Sequence, residues 1–251
     1  MSERTENHPS TNDLYVNYLP MPRRHARFLR VALPAALWLL VGAALAWALT
    51  QRDPGGAVWD DGRPVQIRGV LSTRPCAVLH TDEGPVLLVE VGKHGPRRLG
   101  AFEGAVCAAS GWPLRRDGRR MLELEPGDNA VRVEAATPPQ PPHGPRVLGP
   151  VMLRGEIVDA KCFLGAMKPG DGKTHKECAT LCIRGGIPAM LVSHGADGAP
   201  VYHILTAMDD GPIDASIHPL IADLVEIRGE LIDWNGLLAV RIEPSGVRRA
   251  N

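Results

Sequence analysis

GWPLRRDGRRMLELEP, Gly111–Pro126, and GELIDWNGLLAVRIEP, Gly229–Pro244, follow one plan. In each, a glycine is followed seven residues later by a second glycine and fifteen residues later by a proline. The second glycine closes Asp117-Gly118 or Asn235-Gly236, dipeptides that tolerate the positive φ of a two-residue type I′ hairpin turn. An apolar strand precedes each turn and another follows it, Met121–Leu124 or Leu238–Ile242. A hairpin that recurs with the same punctuation predicts a duplicated β domain.

Upstream spacing agrees. Arg68-Gly69 is followed seven residues later by Cys76, and Arg154-Gly155 seven later by Cys162. Each copy opens on a strand, Val65–Val70 or Val151–Val158. A second apolar strand follows, Val86–Val91 in the first copy and Met190–Val192 continued by Val201–Leu205 in the second. Asp214–Leu224 reads as a short helix capped by Asp214. Five short strands with one helix predict a small OB-like barrel, a fold that implies no particular function. The run Thr137–Pro145, TPPQPPHGP, is a stiff extended connector. The expected architecture is mainly β, with two tandem OB-like domains at 64–135 and 150–248 and a proline-rich linker at 136–149.

The copies differ in length: 74 residues separate Gly155 from Gly229, against 42 between Gly69 and Gly111. Most of the excess is the loop–helix between Cys162 and Ile187, in the stretch DAKCFLGAMKPGDGKTHKECATLCIRGG, Asp159–Gly186. It reads as a strand end, a Gly/Pro loop and a short helix. Thr174 and Glu177 form a capping box that starts the helix at His175, and Gly185-Gly186 stop it. His175, Cys178 and Cys182 then stand at i, i+3 and i+7 on one face. Cys162, from the strand, supplies a fourth corner. Three thiolates and an imidazole make a tetrahedral metal set.

A disulfide from Cys162 to Cys178 or Cys182 is the alternative. Cys178 and Cys182 are poorly placed to bond each other, because their Cβ atoms sit about 5–6 Å apart on a helix and a disulfide needs about 3.5–4.5 Å. The helix N-terminus favours a Cys178 thiolate, which metal binding and thiol redox chemistry both require. Zinc suits the Cys3His set and would pin an insertion too polar to fold alone. Copper(I) suits the soft ligands, with Met167 in the same loop. An iron–sulfur cluster is less expected in an exported domain, and the lack of Cys-x-x-Cys-His argues against c-type haem. Asp159 either accepts a hydrogen bond from His175 behind the site or is the polar end of the strand. His194, His203 and His218 take solvent or turn roles unless one replaces a cysteine on copper. In the first copy Cys76 has only Cys107 nearby, and a Cys76–Cys107 disulfide is the plain expectation for an exported domain.

Export is suggested by Val31–Leu49, VALPAALWLLVGAALAWAL, an uncharged run long enough for a hydrocarbon core of about 30 Å. Arg23, Arg24, Arg27 and Arg30 precede it. The positive-inside rule puts a leader, 1–30, in the cytoplasm, a single transmembrane helix at 31–50 and the β domains outside, in a bacterial inner membrane. The rival is a signal cleaved at Ala46-Trp47-Ala48, with Arg23-Arg24 as a faint twin-arginine signal; the apolar run is long for one. Leu14–Pro22 is apolar enough to lie on the membrane or dock on a partner.

Lysine plus arginine number 28 and aspartate plus glutamate 28, so no global field points to nucleic acid. Aromatics at 4% also leave an OB-like barrel without a stacking platform. Ser72, Ser110, Ser193 and Ser216 lack a nucleophile elbow. Lys168–Lys173 lacks Walker spacing. Glu123 and Glu125 alternate with Leu122 and Leu124 as the outward face of a hairpin.

LRGEIVDAKCFLGAMKPGDGKTHKECATLCIRGGIP resembles a motif of uncharacterised exported or membrane-tethered bacterial proteins. The match lies at Gly155, Asp159, Cys162, Gly172, His175, Cys178, Ala179, Cys182, Gly185, Gly186 and Pro188. The resemblance implies a shared site and export, and supplies no activity. The expected function is a non-enzymatic, tethered metal-binding subunit or assembly factor beside a membrane or periplasmic redox partner. A thiol-disulfide protein and a disulfide-stabilised scaffold are the alternatives.

Overall fold

A computed structural model describes residues 21–51, 56–135 and 144–250. The leader up to Pro20 and most of the proline-rich connector, 136–143, lie outside the described residues. Helix α1, Arg23–Thr50, begins after Pro22 and carries the four arginines in its first turns. It has no buried residue and is long and apolar enough to cross a membrane.

The remainder holds two closed five-stranded barrels. In the first, β1 (Val58–Trp59), β2 (Val65–Ser72), β3 (Val78–Thr81), β4 (Gly84–Val89), β5 (Val106–Arg116), β6 (Arg119–Leu124) and β7 (Val131–Ala135) follow in chain order. The ring runs β5-β2-β3-β4-β6 and closes through β6 onto β5, while β1 and β7 add to β5 outside it. The second barrel uses β8 (Arg146–Asp159), β9 (Ala189–His194), β10 (Pro200–Thr206), β11 (Leu224–Trp234) and β12 (Leu237–Arg249). Its ring is β10-β12-β11-β8-β9. The two orders coincide strand for strand, and each has one parallel pair, β4 with β6 and β10 with β12. The duplication and the OB-like order expected from the hairpins are both present.

Both hairpin turns have the expected backbone: φ is 47° at Asp117 and 76° at Gly118, 50° at Asn235 and 89° at Gly236. The recurring glycines have a packing reason. A Cβ on Gly111 would lie 2.1 Å from the Glu123 carbonyl oxygen, and one on Gly229 2.3 Å from that of Arg241. In both barrels the long strand presses on its hairpin partner at this point, and only glycine leaves room. Gly111→Ala and Gly229→Ala are each expected to destabilise the fold by about 1–3 kcal/mol, the usual cost of overpacking. The denaturant midpoint measures this, and an unchanged midpoint would show that the strands part freely.

Several boundaries differ from the sequence reading. β3 was not foreseen, because four residues with His80 and Thr81 carry little apolar signal. The stretch read as Met190–Val192 prolonged by Val201–Leu205 is two antiparallel strands, β9 and β10. The segment before β11 is a 3-10 turn, Ala215–Leu220, with Pro219 inside it; proline removes a backbone donor and stops an α-helix there. Asp214 does cap it, accepting from the Ser216 N–H at 2.8 Å.

Each barrel encloses its own core, and a third core lies between them. Val86 and Leu88 of β4 point into the first barrel. Leu87 and Val89 point the other way, onto Val158, Phe163, Met190 and Ile204 of the second. A continuous apolar run is what a strand buried on both faces requires. The two barrels are therefore joined through a common apolar layer, and the insertion with its cysteines is packed into that layer.

Candidate metal centre

At the end of β8 the chain turns through Ala160-Lys161 into a single π-helical turn, Cys162–Ala166. Asp159, wholly buried, fixes the turn by accepting from the Cys162 N–H at 2.8 Å. The first barrel grips it from outside. The Arg116 guanidinium lies 3.8 Å over the Phe163 ring and donates to the Phe163 carbonyl at 3.1 Å.

After the loop, Gly172 donates to Glu156 Oε1 at 2.6 Å. A 3-10 turn, Lys173–His175, then leads into helix α2, Lys176–Arg184. The expected capping box does not form, and α2 starts one residue later than read. Thr174, the expected cap, lies inside the 3-10 turn and makes no capping hydrogen bond, whereas a capping residue needs an extended backbone. The stop is as expected and complete. Ile187 donates to the Cys182 carbonyl and Gly186 to that of Ile183, each at 3.0 Å, with Gly186 at φ 97°. This is a Schellman motif.

The sulfurs of Cys162, Cys178 and Cys182 lie within 4.8 Å of one another. Cys162 Sγ and Cys182 Sγ are 4.0 Å apart, close to the roughly 3.8 Å edge of a tetrahedron with zinc–sulfur bonds of about 2.3 Å. A second group shares Cys162 and joins it to Asp159 and His175, also within 4.8 Å. His175 Nε2 sits 3.2 Å from Asp159 Oδ2. The four predicted ligands, with Asp159 as a fifth group, thus form two triads that share Cys162 rather than one set of mutual neighbours. All three cysteines and His175 are buried or half-buried, and the donor set of thiols, imidazole and carboxylate suits zinc or a softer ion. His194, His203 and His218 belong to neither triad.

Three polar residues at the centre escaped the sequence reading. Lys93, in the loop after β4, places Nζ 2.7 Å from Cys178 Sγ and 3.6 Å from Cys182 Sγ. Lys161 runs the opposite way, from the second barrel into the first. Its Nζ donates to the carbonyls of Glu90 at 3.0 Å and Gly92 at 2.7 Å. It also pairs with Glu123 at 3.3 Å. Glu123, read as an outward hairpin residue, does face out of its own barrel, yet it is 3% exposed because the second barrel covers it. The glycines that end α2 serve this junction too. A Cβ on Gly185 would lie 1.7 Å from the Lys93 carbonyl oxygen, and one on Gly95 2.2 Å from that of Gly186.

The electrostatics separate the thiols. The Cys182 thiol is held below the usual thiol range, chiefly by the hydrogen bond from Cys162 and further by Lys93. Cys162 is driven strongly upward by that same bond, by burial and by Asp159. Lys93 is raised by its bond to Cys178. Cys76, in the first barrel, is pushed up to about 12 by burial.

The expected Cys76–Cys107 disulfide is absent, and all five cysteines are free. Cys107 on β5 stands opposite Gly69 in the ladder and points into the first barrel's core. From Gly69 strand β2 runs three residues further to Ser72, and Cys76 lies beyond that end, packed against the layer between the barrels. At about 3.3 Å per strand residue, that separation exceeds the roughly 7 Å limit for bridged Cα atoms.

Comparison of the chain with protein-family models, with curated proteins and with solved structures gives no match.

Proposed function

We propose that this chain is a membrane-anchored, extracytoplasmic metal-binding subunit, a non-enzymatic accessory or assembly factor for a redox complex. The observation that carries the reading is the convergence of Cys162, Cys178 and Cys182 within 4.8 Å, in an insertion that the first copy lacks. Zinc, as a structural ion, or copper(I) is the proposed occupant, held by those thiolates with His175 as the adjoining imidazole. Asp159 orients His175 through its 3.2 Å contact, the part that carboxylates play behind metal-bound histidines. Helix α1, with arginines at its N-terminal end, is read as an anchor with the barrels outside. The resemblance to tethered bacterial proteins supports the same placement. The full chain, purified in detergent under reducing and chelator-free conditions, is expected to carry close to one zinc or copper. Metal far below one equivalent counts against the proposal.

One distance favours a second reading, a thiol-disulfide protein. Cys162 and Cys182, with sulfurs 4.0 Å apart and only one thiol lowered, are placed to give two electrons and two protons to an oxidant and close a disulfide. Thiol counting on the metal-free chain separates the readings. Redox function predicts that mild oxidant removes two thiols, mapped to Cys162 and Cys182. Retention of all five leaves the metal reading alone.

A further inference from the structure

We propose that Lys93, a residue of the first barrel, is a positioning residue of the second barrel's metal centre, its ammonium donating to the Cys178 and Cys182 sulfurs and holding them for the ion. This rests on the metal-binding reading above and extends it: the centre is built by both copies.

The position of Lys93 is fixed by its loop. Lys161 Nζ holds the carbonyls of Glu90 and Gly92. Glu90 donates to the His94 carbonyl at 2.9 Å, and Gly95 donates to the Gly185 carbonyl, also at 2.9 Å. The loop is thus tied on both sides of Lys93, and one tie lands on the residue that ends α2. Lys161 adjoins Cys162, so each barrel hands the other a lysine at the cysteine cluster.

The chemistry requires such a group. Three thiolates around a divalent ion carry a net charge of −1, and around copper(I) −2. Cys162 and Cys182 are 5% and 1% exposed, and a buried net charge is costly unless paired. The buried carboxylate at hand, Asp159, adds negative charge, and the Lys161 ammonium is taken up by Glu123. Among the described residues, Lys93 is the cation in hydrogen-bond contact with the sulfurs. Donors behind metal ligands are worth about 10–100-fold in affinity.

Cobalt(II), titrated into the reduced full chain in detergent against a competing chelator, tests this. Lys93→Met is expected to bind cobalt at least about 10-fold more weakly. Its sulfur-to-cobalt charge-transfer band should move to lower energy, because a sulfur without its N–H donor releases electrons more readily. Lys93→Gln, polar but uncharged, should lose affinity in the same direction. Lys93→Arg, which keeps a cationic donor, should restore most of the loss and the wild-type band. Equal or tighter binding by Lys93→Met overturns the proposal, tighter binding marking the lysine as a plug. Weaker binding with an unmoved band also overturns it, since the residue would then support only the fold. A wild-type chain that takes up no cobalt sinks the metal reading itself, whereas one that binds cobalt regardless of residue 93 sinks this inference alone.

Discussion

Replacement of Cys182 by serine is expected to strip the metal from the protein while leaving both barrels folded. Cys182 is 1% exposed, lies 4.0 Å from Cys162 and is one of the two sulfurs that Lys93 meets. A serine hydroxyl does not ionise near neutral pH and is a poor ligand for a soft or borderline ion. Loss of a ligand should exceed the roughly 10–100-fold cost of losing a group behind one. The Schellman closure of α2 uses the Cys182 carbonyl, which the substitution keeps. Bound metal per chain is the direct readout, and thermal melts give a second one. Free zinc at about 100 times its dissociation constant should stabilise the wild type by about 2.7 kcal/mol; Cys182→Ser should show almost none of this. Unchanged metal content in the variant would place the site elsewhere.

The second large effect is structural. Glu123→Ala is expected to destabilise the molecule by about 3–5 kcal/mol, the range for stranding one half of a buried ion pair. Both side chains of the pair are 5% exposed, so the Lys161 ammonium would keep only two carbonyls, Glu90 and Gly92. With roughly 2–4 °C per kcal/mol for 150–250 residues, the melting temperature should fall by on the order of 10 °C. The double variant Glu123→Leu with Lys161→Met should recover most of the loss, since apolar replacements of a buried pair are often neutral or stabilising. It should still weaken metal binding, because the loop that carries Lys93 loses both of its Lys161 ties. A Glu123→Ala melt within about 2 °C of wild type would show that water reaches the pair.

What was legible in the sequence was what backbone geometry alone dictates. Asp117-Gly118 and Asn235-Gly236 announced their turns because few dipeptides accept two positive φ values. Gly111 and Gly229 announced the duplication because a strand passes where a side chain would stand. The cysteines showed through their helical spacing. β3 was missed because its apolar content is two residues, Val78 and Leu79. The capping box failed because the turn before α2 was already helical, which depends on how the loop from Met167 closes. Lys93, Lys161 and Glu123 carried no local signal at all. Lys93 meets Cys178 across 85 residues of chain, and a lysine in a polar loop reads as solvated until the second copy is laid against it. The Cys76–Cys107 expectation came from counting thiols; ladder register, with Gly69 opposite Cys107, was the missing constraint.

The layer shared by the barrels changes what the repeat means for the molecule. Leu87 and Val89 turn away from their own barrel, so the first copy has a flank that stays dry only in its sibling's company. The twin units share one apolar layer and shield it together. Shortening the chain to either one would hand water a greasy wall, and shuffling one of them into another protein would carry that wall along. The two are one physical object, even though just one member carries the clustered cysteines.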